Sequence, residues 1–216
     1  NMSDQRSLSN SNALINSDSV YGSQYQYEYA DGMKTGHTTD AGYCLVSTAV
    51  RNGIRLLCIV LGAGEGTKAN GTAEYKNFTD TIHLYDWVYN NYSTHTLVSS
   101  SELLCDVPVQ FGSDTDRVTA HAREDLTAVL PNDAVIEEYE RTVTVYSERD
   151  NEPLRAPVEA GDVLGEITVS KDGVEYGKVP IVASYGVELS HGAFLRQGLT
   201  RFFSRPIVLA ILLVVF

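Results

Sequence analysis

Cations are scarce in this chain. Its 216 residues hold 16 Lys and Arg against 28 Asp and Glu, a formal net charge of −12. Neutralising nucleic-acid phosphates takes clustered Lys and Arg. Here the cations are scattered except near the end, which argues against a nucleic-acid partner and leaves an acidic surface suited to a soluble exported body. Cysteine is also sparse. Cys44, Cys58 and Cys105 are too few and too irregular for a disulfide framework or a zinc knuckle, and they read as small buried hydrophobes. The five histidines, His37, His83, His95, His121 and His191, lack metal-ligand spacing, so neither metal nor cofactor is expected. Gly62-Ala63-Gly64-Glu65-Gly66 lacks the third glycine of a dinucleotide fingerprint, Thr67 standing there, and no Gly-Lys-Ser/Thr follows. A flexible strand-to-helix connection is expected instead. The 43% hydrophobic content is enough for real cores in one or two domains.

The most informative stretch is Lys34-Thr35-Gly36, preceded by Asp31-Gly32-Met33 and followed by His37-Thr38-Thr39-Asp40-Ala41-Gly42-Tyr43. It sets a cation, a hydroxyl and a residue without a side chain in a row on what reads as an exposed strand. Such a row suits an extended acyl substrate. The ammonium draws in a carboxylate, the hydroxyl donates a hydrogen bond, and the glycine lets another backbone approach.

Asp31-Gly32-Met33-Lys34-Thr35-Gly36-His37-Thr38, the Ala41-Gly42-Tyr43 step and the hydrophobic hairpin after it resemble the penicillin-binding proteins. More specifically, they resemble the low-molecular-mass serine D-alanyl-D-alanine carboxypeptidases. Ser9-Asn10-Ser11-Asn12-Ala13-Leu14 also looks like the stretch these enzymes carry before this motif. The family uses a Ser-x-x-Lys nucleophile motif, a Ser-x-Asn motif and the Lys-Thr-Gly strand, and only the third is present. The five lysines, Lys34, Lys68, Lys76, Lys171 and Lys178, are preceded three positions earlier by Asp31, Glu65, Ala73, Thr168 and Glu175, and no Asn has a Ser two positions before it. The opening Asn1-Met2-Ser3 shows no charged and apolar leader, yet the family is exported. The chain is therefore expected to be a carboxy-terminal portion whose nucleophile half is encoded ahead of it.

The resemblance implies acyl transfer from the terminal D-Ala-D-Ala bond of peptidoglycan stem peptides to a serine and then to water, with β-lactams acylating the same serine. Lys34 would attract the terminal carboxylate and help position the Ser-x-Asn hydroxyl. Thr35 would hydrogen-bond the carboxylate, Gly36 would let the peptide lie along the strand, and the His37 backbone N–H would be an oxyanion donor. The other reading is a non-catalytic, membrane-tethered cell-wall module derived from this family.

Along the chain, residues 1–30 are rich in Ser, Asn and Tyr. Tyr21, Tyr25, Tyr27 and Tyr29 alternate, hinting at a short strand or a packing wall. Apolar strands Tyr43–Val50 and Arg55–Leu61 flank an Asn52-Gly53 turn, with a register that opposes Cys58 to Ser47 and Cys44 to Leu61, on opposite faces. Residues 72–92 show a helical period, with Phe78, Ile82, Tyr85, Trp87, Val88 and Tyr89 on one apolar side. Short alternating runs follow: Leu103–Phe111, Arg117–Ala122, Leu126–Leu130, Arg141–Ser147, Val163–Ser170 and Val174–Ala183. Leu154 to Gly165 resembles the β domain that follows the catalytic domain in this family, for which a spacer role is implied.

In residues 188–216, Leu195, Leu199, Phe202 and Phe203 cluster on one helical side away from Arg196, Arg201 and Arg205, an interfacial pattern. The apolar run Ile207–Phe216, counted from Pro206, spans about 16 Å as helix against a roughly 30 Å hydrocarbon core. The expected fold is α+β. The resemblance implies that residues 1–93 are the end of a serine β-lactamase/transpeptidase-like domain, an antiparallel sheet with a covering helix. An all-β domain is expected over 94–187 and a membrane anchor over 188–216, which the resemblance would place at the extracytoplasmic face of a bacterial membrane.

Overall fold

Three antiparallel strands follow one another along the chain and lie side by side: β1 (Ala30–Thr38), β2 (Gly42–Arg51) and β3 (Ile54–Ala63). The computed structural model describes residues 9–192 and Leu195. The β2–β3 turn falls at Asn52 and Gly53, whose φ values of 52° and 80° are the pair of positive angles a two-residue hairpin turn needs. Ser47 faces Cys58 in the ladder as the sequence register requires, while Cys44 sits at the bulge between Tyr43 and Leu45. All three cysteines are free thiols.

Alternation along β2 buries Leu45, Ser47 and Ala49 on one face, joined by Ile54 and Cys58 of β3. Leu57, Ile59 and Leu61 point to the other side and are exposed. Two short strands, β4 (Glu65–Thr67) and β5 (Ala73–Tyr75), pair with each other and lead into α1 (Lys76–Asn91). The Gly62–Gly66 stretch is thus not a loose connection into the helix. Its last two residues belong to β4, and a small hairpin intervenes before the helix.

Helix α1 has no side-chain hydrogen bond at its N-cap, Tyr75, so its stability rests on packing. Phe78, Thr81 and Tyr85, one helical stripe, are fully buried. They share a core with Ala13, Leu14, Tyr25, Leu45, Ala49 and Cys58. Burying each large side chain contributes roughly 1.5–3 kcal/mol. The buried Ser47 and Tyr85 hydroxyls satisfy each other at 2.7 Å. Trp87 corrects the sequence reading. It is 56% exposed, because nine residues beyond Phe78 amount to two and a half turns and put it on the opposite side of the helix. The alternating tyrosines form no strand. Ser23–Tyr25 make a 3-10 turn, and Tyr21, Tyr25, Tyr27 and Tyr29 pack as an aromatic cluster around α1 and Tyr75.

The described residues divide into two units. One comprises the chain up to Thr94 with Val129–Asp133, and the other His95–Ala128 with the chain from Ala134 onward. Strands β6 (Tyr92–Val98), β7 (Leu103–Gln110), β8 (Arg117–Ala122), β9 (Leu126–Pro131) and β10 (Glu140–Val145) follow α1. After β10, Tyr146–Arg149 forms a short helical turn, α2, so the strand expected to run to Ser147 ends two residues early. Strand β11 (Leu154–Arg155), β12 (Val163–Lys171) and β13 (Val174–Ala183) complete the set. The larger sheet is ordered β10-β12-β13-β8-β7-β11, and β6 pairs with β9. Its interior holds Val107, Val118, Ala120, Ile167, Val169 and Ile181, all at most 1% exposed.

Among the described residues no helix is long and apolar enough to cross a membrane. The expected amphipathic helix and the run Ile207–Phe216 lie outside the described residues, apart from Leu195.

Candidate functional site

Asp31 fastens the start of β1 to both other strands. Its carboxylate accepts from Thr48 Oγ1 at 2.5 Å and from Arg55 Nη1 at 2.7 Å. The Thr48 hydroxyl first, and the Arg55 guanidinium second, hold its pKa below the usual carboxylate value. From this brace the strand runs through Lys34, Thr35, Gly36 and His37, which face Val46, Leu45, Cys44 and Tyr43 on β2. Strand β1 pairs with β2 alone, and among the described residues no strand covers its other edge. An unpaired edge offers backbone donors and acceptors to an incoming extended chain.

The four motif residues occupy that edge in different ways. Lys34 is exposed, and its Nζ donates to the Thr35 carbonyl oxygen at 2.5 Å, which holds the ammonium against the strand. Thr35 is the buried member, 7% exposed, on the face of Leu45. Its Oγ1 lies 2.5 Å from Ser11 Oγ, a residue 24 positions earlier. Gly36 is exposed, and a Cβ built on it would meet only Cys44 Cβ at 3.8 Å, an ordinary contact. Nothing in the described chain therefore requires glycine at this position. The His37 ring stacks on Tyr43, with centroids 4.1 Å apart and planes 24° from parallel. The Tyr43 hydroxyl donates to Glu65 Oε2 at 3.0 Å. That bond first, and partial desolvation second, push its pKa up to about 12, so Tyr43 stays neutral beneath the imidazole at physiological pH.

The segment carrying Ser11 is stitched by side chains. Asn10 Oδ1 accepts the Asn12 N–H at 2.9 Å, and Asn12 Oδ1 accepts the Leu14 N–H at 3.1 Å. Ser19 Oγ donates to the Ser11 carbonyl at 2.8 Å. Asn12, Ala13 and Leu14 are buried, which seats the segment on the core beside β1. Sequence reasoning noted this segment only for its likeness and assigned Ser11 no role. The one signal was the Asn-Ser-Asn run, whose side chains favour local turns over strand or helix.

In the second unit a groove of about 600 Å³ is lined by residues including Tyr146, Asp150, Glu152 and Arg155. Its Asp150 is engaged by Arg149 at 2.8 and 3.0 Å. Among the described residues no group of three or more His, Cys, Asp or Glu could hold a metal ion.

Two family profiles match the chain. D-alanyl-D-alanine carboxypeptidase matches residues 3–65, and the penicillin-binding protein 5 C-terminal domain matches residues 92–189. D-alanyl-D-alanine carboxypeptidase DacA of Escherichia coli K12 is 30% identical over 152 residues, covering 70% of this chain and 34% of the relative. DacF of Bacillus subtilis is 24% identical over 157 residues, covering 73% of this chain and 37% of the relative. The chain thus spans about a third of the length of the curated relatives it matches. Among solved structures, a peptidoglycan synthesis regulatory factor (PBP3) from Streptococcus pneumoniae aligns with a TM-score of 0.53 at 26% identity, over 76% of this chain and 44% of that one.

Proposed function

The chain belongs, over both of its units, to the low-molecular-mass penicillin-binding protein family, and from that premise we propose that it supplies the substrate-binding edge of a serine-type D-Ala-D-Ala carboxypeptidase. The observation that carries this reading is the outer edge of β1, which no strand covers among the described residues. A cation, a hydroxyl and a bare backbone stand there in sequence, and the glycine has no internal steric reason to be glycine. In this reading a stem peptide lies along β1 as an added strand. The Lys34 ammonium leaves the Thr35 carbonyl to meet the terminal carboxylate, and the Thr35 hydroxyl donates to that same group. Gly36 admits the peptide backbone, and the His37 N–H is one of two donors facing the developing oxyanion. The attacking serine and its base come from outside these 216 residues, since no Ser-x-x-Lys occurs within them. The second unit is read as a spacer, and residues 188–216 as a tether at the extracytoplasmic membrane face.

Fluorescent penicillin labelling tests the reading. The purified 216-residue chain is expected to acquire no label. A polypeptide that carries it behind a Ser-x-x-Lys and a Ser-x-Asn segment is expected to label, and Lys34→Ala should slow that acylation by roughly a hundredfold or more, the cost of losing one preorganised donor. Label on the chain alone, or a Lys34→Ala effect below tenfold, would overturn it.

A further inference from the structure

A hydroxyl carries one proton. Thr35 is a buried residue and its Oγ1 sits 2.5 Å from Ser11 Oγ, so one of the two hydroxyls spends its proton on the other. A carboxylate offers only lone pairs. If Thr35 donated to Ser11, it would turn an oxygen lone pair toward an incoming carboxylate and repel it. We propose that Ser11 is a positioning residue that donates to Thr35 Oγ1 and so reserves the Thr35 proton for the carboxylate of an extended peptide on β1. The inference rests on the carboxylate-binding role given to Thr35 above, and adds to it a direction for the hydrogen bond and a residue that sets it.

The geometry suits that task. Ser11 is half-buried, close enough to Thr35 to restrict the rotation of both hydroxyls. Its own backbone is fixed by the Ser19 hydroxyl on its carbonyl, and by the turns that Asn10 and Asn12 close on either side. The relay Ser11 O–H to Thr35 Oγ1, then Thr35 O–H to carboxylate, polarises in one direction, so each bond strengthens the next. Lys34 supplies the charge in the row but does not set the Thr35 proton, because its Nζ donates to the Thr35 carbonyl oxygen and not to Oγ1.

The test is a titration of the full chain with N-acetyl-D-alanyl-D-alanine and with its C-terminal amide, read from backbone amide NMR shifts at Ser11, Thr35 and Gly36. Wild type should bind the acid more tightly than the amide. Ser11→Ala should weaken acid binding roughly three- to tenfold while changing amide binding less, and Ser11→Thr, which keeps the hydroxyl, should restore it. If Ser11→Ala collapses the spectrum, Ser11→Cys keeps the volume with a weak donor and should show the same selective loss. Equal acid affinity in wild type and in the alanine or cysteine variant, or failure of threonine to restore it, overturns the role of Ser11 and leaves the edge reading standing. No shift at Thr35 and Gly36 in wild type overturns the edge reading, and this inference falls with it.

Discussion

Gly36 is the residue at which the proposed role and the needs of folding come apart. A Cβ there would touch Cys44 Cβ at 3.8 Å, and the backbone is not in the left-handed region. Replacing a glycine whose conformation suits other residues tends to stabilise by about 0.4–1 kcal/mol, through the unfolded chain. Gly36→Ala is therefore expected to melt no lower than wild type while losing N-acetyl-D-alanyl-D-alanine binding, because the methyl group stands where the ligand backbone would lie. Thermal unfolding and the same NMR titration check both halves, and a variant that binds as well as wild type would contradict the assignment. Asp31 makes a different case. Its folded pKa lies below the ordinary 3.8 because the ionised form is held by Thr48 and Arg55. A depressed carboxyl contributes stability above its unfolded pKa, and that contribution fades as pH falls through the folded value. Urea midpoints measured from pH 5 down to pH 2 should therefore fall more steeply for wild type than for Asp31→Asn. Parallel curves would show that the brace contributes nothing.

Among the elements, α1 shows what its sequence could and could not reveal. The 3.6-residue period located a helix, and Phe78, Ile82, Tyr85 and Tyr89 do belong to the packed side. Trp87 was drawn into that side by its chemistry rather than its angle. Phe78→Ala should cost about 3–5 kcal/mol, whereas Trp87→Ala should stay within about 0.5 kcal/mol. Equal effects in chemical denaturation would mean that the helix is rotated from the orientation described. The β2–β3 hairpin was legible near its turn, because Asn-Gly dictates the turn and the turn dictates the register that opposes Ser47 to Cys58, whereas the shift between Tyr43 and Leu45 breaks the expected pairing of Cys44 with Leu61. The Asp172-Gly173 turn between β12 and β13, with φ of 52° and 78°, was legible for the same reason. Strands β4 and β5 were hidden, being three residues each and too short for alternation to register. Strand β11 was hidden as well, since its two residues pair in parallel with β7, a partner distant in sequence. At the site, Lys34, Thr35 and Gly36 were readable as a row because strand neighbours are sequence neighbours. The Ser11–Thr35 contact bridges 24 residues of irregular chain, and no local pattern announces such a pair.

At the scale of the whole molecule, the described residues of each unit bury apolar side chains of their own. In one unit these include Phe78, Tyr85 and Leu45, in the other Val107, Ile167 and Ile181. The row Lys34-Thr35-Gly36 belongs to the first. The chemistry proposed here is thus concentrated on one edge strand of one unit, and under that proposal the chain would contribute a receiving surface rather than a nucleophile. Backbone amide hydrogen exchange of the full chain, with and without saturating N-acetyl-D-alanyl-D-alanine, tests that claim most directly, because an added strand must slow the amides it pairs with. Slowed exchange confined to the Ala30–Thr38 segment and the Ser11 turn is the expected result. Unchanged exchange there, with protection appearing in the second unit instead, would contradict it.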